Sequence, residues 1–168
     1  GEENRDAFDA VSRRVDAISL LHQELHQAAD IETVPLDRFI PRVIALLQDS
    51  APENISILAE VDRINVGSAH ASAIGIIVSE FVANSIKHGF AGGRPGTVSL
   101  SLLNDADGHV TLTCSDDGAG TGSATRPTSA AEGLGHRLVD AAASQLGSKV
   151  TRTATDDGFS LSLTFARA

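Results

Sequence analysis

The chain has 168 residues, of which 42% are hydrophobic, and its formal net charge is -9 at pH 7. This length and composition allow one domain with a buried core and one additional element. The negative charge argues against nucleic acid as a partner, because phosphate backbones select basic surfaces. No run is expected to span a membrane and no segment resembles a signal peptide, so a cytoplasmic location is expected.

Apolar residues near the start of the chain recur at alternating spacings of three and four. The positions are Phe8, Val11, Val15, Ile18, His22 and Leu25, with His22 as the polar member. This heptad pattern predicts a helix over 7–29 that packs against a second helix. No other segment carries a matching seam, which favours a truncated helical bundle or a homodimer through this helix. Packing of the helix on its own domain is the alternative.

A short acidic connection over 28–33 leads into the main domain. A helix is predicted over 36–47, with Pro41 expected to start, kink or shorten it. Residues 55–61 alternate like a strand, and Ser68 is the predicted cap of a helix that runs to about 88 and ends at Gly89. The remaining predicted elements are strands over 97–103 and 109–114, a mobile loop over 121–132, a helix over 134–146 and a hairpin over 149–155 and 159–165.

This order of elements predicts an α/β fold. The strands are joined by short turns, so the sheet is mixed and mainly antiparallel, and three helices cover one face of it as a two-layer sandwich. The bundle-forming helix precedes this sandwich. Cys114 lies in an alternating apolar run and is predicted to be a small core residue in a reducing compartment.

The helix before Gly89 carries an apolar stripe and a separate polar row. Glu80, Asn84 and Lys87 are spaced i, i+4, i+7, and they are followed by His88. A carboxamide oxygen can bind a hard cation, an ammonium can meet phosphate, and a carboxylate can orient water. The row therefore indicates a nucleoside triphosphate site, although a solvated helix face is the alternative for Glu80 and Lys87.

Two glycine-rich motifs follow this helix. Asp116-Asp117-Gly118-Ala119-Gly120 comes directly after a strand, where a carboxylate could accept a hydrogen bond from the exocyclic amine of adenine. Gly133-Leu134-Gly135 is predicted to open a helix, where free N–H groups suit an anion. A plain β-turn and a packing role for glycine are the respective alternatives.

The three motifs in this order resemble the nucleotide-binding boxes of the GHKL ATPase superfamily, which contains gyrase, heat-shock chaperone, histidine kinase and mismatch-repair families. The run Gly-Leu-Gly-His-Arg-Leu-Val and the later Ser144-Gln145-Leu146-Gly147 are similar to sensor histidine kinases. The segment from Arg14 to His26 resembles the subfamily with light and stress sensors in Alphaproteobacteria. This resemblance extends over roughly 8–166.

The resemblance implies a role for each motif residue. Glu80 and Asn84 are implied as catalytic, with Asn84 coordinating Mg²⁺ and Glu80 acting near the metal and its water. Asp116 is implied to bind the adenine amine. The other implied nucleotide-binding residues are Lys87 and His88 at phosphate, Gly118 and Gly120 at the adenine pocket, and Gly133, Leu134 and Gly135 at the hinge of the lid on the phosphate side. Ala131 stands where the family often has glycine.

The implied function is the catalytic portion of a sensor histidine kinase that uses ATP and Mg²⁺. Residues 1–33 would be the second helix of the dimerisation and phosphotransfer hairpin, and 34–168 the ATP-binding domain. The implied partners are ATP or ADP, a response regulator receiver domain and a second copy of the chain. The alternative is a non-catalytic phosphotransfer, scaffold or anti-sigma-type protein that uses a kinase-like fold for protein binding.

The resemblance also locates the phosphoacceptor histidine. His22 and His26 match the second helix of the hairpin, whereas the acceptor belongs to the first helix. The acceptor is therefore expected upstream of Gly1, and His22 is expected to be a packed residue of the seam.

Overall fold

A computed structural model describes residues 33–90, 94–118 and 130–167, with the backbone alone for 130–134. The predicted helix over 7–29 lies outside these residues. The described helices are α1 Leu36–Ser50, α2 Ser68–Asn84, which continues as a π-helical turn over Ser85–Gly89, and α3 Ala130–Gln145. The described strands are β1 Thr33–Pro35, β2 Ile55–Val61, β3 Asn65–Gly67, β4 Gly96–Asn104, β5 His109–Asp116, β6 Thr151–Thr155 and β7 Gly158–Ala166.

Five of these strands form one mixed sheet in the order β2-β4-β5-β7-β6. Strands β2 and β4 are parallel, and the other neighbouring pairs are antiparallel. This confirms the predicted two-layer α/β sandwich with a mainly antiparallel sheet. Strands β1 and β3 form a separate antiparallel pair that periodicity did not predict, because three residues carry no recognisable alternation.

The core lies between one face of the sheet and the helices. Val110, Leu112 and Cys114 alternate along β5 and are fully buried, while the residues between them face the opposite side. Cys114 is thus the core residue that the sequence predicted, and burial raises the pKa of its thiol. One hydrophobic cluster joins these strand residues to apolar residues of all three described helices.

Helix α2 runs through the centre of this core. Its predicted stripe is buried along its length, at Ile74, Ile77, Val78, Phe81 and Val82. By length and composition alone, the stretch Ser68–Gly89 could cross a membrane. This differs from the expectation that no run of the chain is long and apolar enough to do so. Most of it is buried inside the domain, which accounts for this composition in a core helix.

The ends of two helices differ from the predictions. Ser68 was predicted to cap α2, but it is the first helical residue, and Gly67 occupies the cap position without a side-chain hydrogen bond. Helix α1 continues through Pro41 to Ser50. Proline removes one helical hydrogen bond, and its ring crowds the carbonyl four residues earlier. The packing of Phe39, Ile40 and Val43 in the core stabilises the helix against this cost.

One side chain covers part of the outer edge of β2. The Gln48 Nε2 donates to the carbonyl oxygen of Ile55 at 2.8 Å, and the Gln48 Oε1 accepts from the backbone N of Ile57 at 2.9 Å. The carboxamide therefore does for these two backbone groups what a neighbouring strand would do. These two groups are thus not available for pairing with another strand.

Replacing Gln48 by leucine should lower the free energy of unfolding. The carbonyl of Ile55 and the N–H of Ile57 would lose their partners, which costs about 1–3 kcal/mol for part-buried groups. Urea denaturation of the two proteins measures this difference. Gln145→Leu, the same change at the exposed end of α3, is the control, and equal denaturation midpoints for the two variants would contradict the prediction.

Candidate functional site

Helix α2 carries the predicted polar row towards its carboxyl end. Glu80 is 2% exposed, and Asn84, one turn later, is half-buried. The chain then enters the π turn, which holds more residues per turn than an α-helix. Lys87 on this turn is exposed and no longer follows the α-helical row, and His88 is half-buried. The structure thus groups Glu80 with Asn84 and places Lys87 and His88 just beyond them.

The carboxylate of Asp116, at the end of β5, accepts hydrogen bonds from three separate segments. Its Oδ2 accepts from the hydroxyl of Ser85 at 2.7 Å. Its Oδ1 accepts from the backbone N of Gly118 at 3.1 Å and of Phe159 at 3.3 Å. Asp116 is 9% exposed, and a buried carboxylate needs such donors in place of the water it has lost. The carboxylate is therefore held in one orientation.

Two glycines bring the backbone close together beside this carboxylate. A Cβ on Gly118 would lie 2.6 Å from the Cα and the carbonyl oxygen of Gly89, so no side chain fits there. A Cβ on Gly89 would lie 3.6 Å from both carboxylate oxygens of Asp116, which is ordinary contact. Gly118 is thus required by packing, whereas Gly89 leaves space next to the carboxylate.

The start of β7 is fitted to the same aspartate. Gly158 has a φ of +151°, and a Cβ there would overlap the carbonyl oxygen of Asp116. The next residue, Phe159, donates its N–H to the carboxylate, and its ring stacks on Phe81 of α2 with centroids 6.0 Å apart. The β6–β7 hairpin therefore connects Asp116 to the central helix.

Helix α3 meets Glu80 at a glycine. A Cβ on Gly135 would come to 3.1 Å from the Glu80 Oε2, a tight contact that would require the carboxylate to shift by a few tenths of an ångström. The helix begins at Ala130 and not at 134, so the prediction that Gly133-Leu134-Gly135 opens it is wrong. Residues 130–132 are Ala-Ala-Glu, which are good helix formers, and they extend the helix into the predicted loop.

Several predicted residues lie outside the described part of the chain. These include Gly120, His22, His26 and the predicted loop up to residue 129. Gly133 and Leu134 lie in α3, where the structure describes the backbone alone. Their assignments remain predictions.

Ser85 and Phe159 are parts of the Asp116 site that the sequence did not indicate. Ser85 directly follows Asn84, so its position beside a predicted site residue was the available signal. Phe159 contributes a backbone N–H, and a backbone donor leaves no signal in residue type.

Two protein-family models match the chain. A model described as histidine kinase-like ATPase domain matches residues 44–164. A model described as histidine kinase matches residues 1–51.

Curated relatives are similar over about two thirds of the chain. Blue-light-activated histidine kinase 2 of Erythrobacter litoralis is 30% identical over 118 residues, which cover 67% of this chain and 34% of the relative. The sensor histidine kinase PdtaS of Mycolicibacterium smegmatis is 32% identical over 122 residues, or 71% of this chain and 24% of the relative. The matched region thus spans about a third or less of these relatives.

Solved structures share the fold. The histidine kinase domain of a blue-light-activated kinase, EL346 of Erythrobacter litoralis, superposes with a TM-score of 0.82 at 21% identity, covering 94% of this chain and 75% of that one. The catalytic domain of histidine kinase ThkA gives a TM-score of 0.63 at 18% identity, covering 80% and 95%. At these identities the likeness establishes the architecture alone.

Gly118→Ala should destabilise the domain more than Gly89→Ala. The first methyl would overlap the backbone of Gly89 and cost about 1–3 kcal/mol, as overpacking does. The second would meet its neighbours at ordinary contact distance. Thermal and urea unfolding measure both, with Gly67→Ala as the control because nothing lies within 4 Å of a Cβ there. Equal losses for the Gly118 and Gly89 variants would show that this backbone contact is not formed.

Proposed function

The chain belongs to the histidine kinase-like ATPase family, and from this premise we propose that it is the ATP-binding catalytic portion of a two-component sensor histidine kinase. One observation carries the proposal. A buried, fixed carboxylate, Asp116 at the end of β5, lies beside the closely packed Gly89 and Gly118. Gly89 belongs to the π turn that continues the helix of Glu80 and Asn84. In the proposed site, the end at Asp116 suits a base and the end at Glu80 and Asn84 suits phosphates.

At the base end, Asp116 accepts a hydrogen bond from the exocyclic amine of adenine. Its Oδ2 accepts one described hydrogen bond, from Ser85, and a carboxylate oxygen can accept two. Guanine presents a carbonyl oxygen at the corresponding position, and two acceptors repel each other. The site therefore selects adenine, with Gly118 and Gly120 keeping side chains away from the ring.

At the phosphate end, Asn84 is the proposed ligand for Mg²⁺. Magnesium usually takes one or two protein oxygens and completes its shell with phosphate oxygens and water. Within the described ranges, no group of three or more His, Cys, Asp or Glu side chains could hold a metal ion, which fits such a shared shell. Lys87, His88 and the residues 133–135 of α3 are the proposed phosphate contacts.

Glu80 is the proposed acid–base residue. Its carboxylate is buried one helical turn before Asn84 and faces Gly135 of α3, so it lies next to the proposed metal ligand, where it acts near the metal and its water. The reaction transfers the γ-phosphoryl group from ATP to a histidine nitrogen, with ADP as the leaving group. A bound Mg²⁺ neutralises phosphate charge, and the residues of this chain position the reactants.

The proposal extends to partners and location. Residues 1–33 belong to the dimerisation and phosphotransfer hairpin, which is supported by the histidine kinase model matched over 1–51. A second copy of the chain is the proposed partner of the helix over 7–29. A response regulator receiver domain accepts the phosphoryl group, and the protein acts in the cytoplasm.

Asp116→Asn should weaken ADP binding by roughly ten- to hundredfold. The substitution replaces an acceptor by an amide donor next to the adenine amine, and a hydrogen bond to a charged group contributes about 1.5–3 kcal/mol. Isothermal titration calorimetry with Mg-ADP measures the affinities. Asp117→Asn is the matched control, because the Asp117 carboxylate is exposed and bonds the backbone N of Thr97 instead. Unchanged affinity in Asp116→Asn would overturn the adenine assignment.

The 168-residue chain should bind ATP without forming a stable phosphohistidine. The resemblance places the acceptor on the preceding helix, and catalysis here depends on bringing that histidine in line with the γ-phosphate. Incubation with γ-labelled ATP tests this, and adding the upstream helix should restore acid-labile label. Robust label on the chain alone that disappears in His22→Ala or His26→Ala would show that the acceptor was misplaced.

A further inference from the structure

Ser85 is buried next to the proposed adenine site, in contact with Asp116. It is 2% exposed and begins the π turn that follows Asn84. Its hydroxyl donates to the Asp116 Oδ2 at 2.7 Å, across 31 positions of sequence. This is an ordinary distance for a hydroxyl donor and lies within the range for a hydrogen bond to a carboxylate.

The direction of this hydroxyl is unusual for a helical serine. Serine within a helix commonly turns its hydroxyl back to the carbonyl one turn earlier. The carbonyls of Phe81 and Val82 already accept from the backbone N–H of Ser85. The hydroxyl instead points off the helix to the end of β5, so the hydrogen bond ties α2 to the carboxylate.

Ser85 determines the orientation of one carboxylate oxygen. The two backbone N–H groups of Gly118 and Phe159 hold Oδ1, and the hydroxyl of Ser85 is the described donor to Oδ2. Both oxygens rotate together about the Cβ–Cγ bond, so without that donor only the two N–H groups on Oδ1 oppose the rotation and Oδ2 is held less firmly. Adenine recognition requires Oδ2 in place, because a hydrogen bond weakens steeply as its angle departs from linear.

The same bond sets the polarity of the site. The hydroxyl proton of Ser85 is committed to Asp116, so Ser85 has only lone pairs left to present. The Asp116 carboxylate and the Ser85 Oγ, whose hydrogen is used in the bond to Asp116, therefore present only hydrogen-bond acceptors along this edge. Such an edge favours a base with an exocyclic amine over a base without one.

We propose that Ser85 is a positioning residue for adenine selection, which acts by fixing the Asp116 carboxylate through its hydroxyl. This inference rests on the proposed function, in which Asp116 accepts the adenine amine. It assigns Ser85 a part in choosing the base and none in the transfer of phosphate.

The test compares two nucleotides that differ by one group. ADP and purine riboside 5′-diphosphate, which lacks only the 6-amino group, are titrated calorimetrically with Mg²⁺ into the 168-residue chain. The wild type should prefer ADP by roughly ten- to hundredfold, the value of a hydrogen bond to a charged group. Ser85→Ala should lower the affinity for ADP by about five- to twentyfold. It should change the affinity for purine riboside diphosphate by less than about twofold.

Ser79→Ala is the matched control. Ser79 is a fully buried serine of the same helix, and its Oγ has no hydrogen-bond partner among the described residues. Both affinities should stay within about twofold of wild type in this variant. Ser85→Cys, which keeps the side-chain volume with a weaker donor, carries the test if the alanine variant does not fold, and its preference for ADP should be intermediate.

The outcomes separate the inference from the function on which it rests. Amine-selective binding that survives Ser85→Ala overturns the inference alone. Equal weakening of both nucleotides in Ser85→Ala also overturns it, because a purely structural role would act without regard to the amine. Failure of the folded wild type to bind ADP overturns the proposed function and the inference with it.

Discussion

The hydrogen bonding of one buried carboxylate organises the site. Asp116 is satisfied by donors from the π turn, from the turn after β5 and from the start of β7, so these segments must come together for the domain to bury that charge. An unpartnered buried carboxylate would cost several kcal/mol, which is a large share of the stability of a small domain. Folding and the shape of the proposed base site therefore depend on the same contacts.

Close backbone approach makes this arrangement possible. Gly118 lies against Gly89, and Gly135 of α3 leaves room for the buried Glu80 of α2. A methyl group at Gly118 would push apart the two backbone segments, whereas one at Gly135 would require only a small shift of the Glu80 carboxylate. Gly118 thus acts through packing between segments, in addition to any contact with a nucleotide.

The sequence offered the candidate residues of this site because the residue types carry the chemistry. The 3.6-residue period located α2, and Glu80, Asn84 and Asp116 could be chosen by charge and spacing. The part that could not be predicted depends on local geometry. The π turn, the direction of the Ser85 hydroxyl and the backbone donor of Phe159 leave no periodic signal. The short pair β1–β3 and the start of α3 at Ala130 were missed for the same reason.

The most direct test of the account is a titration of the isotope-labelled chain with Mg-ADP, followed by amide NMR. The largest shift changes should fall on Asn84, Ser85, Gly89 and Gly118, around the fixed carboxylate. Ser99, Ser101 and Thr113 lie on β4 and β5 with their side chains on the opposite face of the sheet. The chemical shifts of their amides should change little. Saturable changes centred on those strand residues, with Gly89 and Gly118 unaffected, would contradict it.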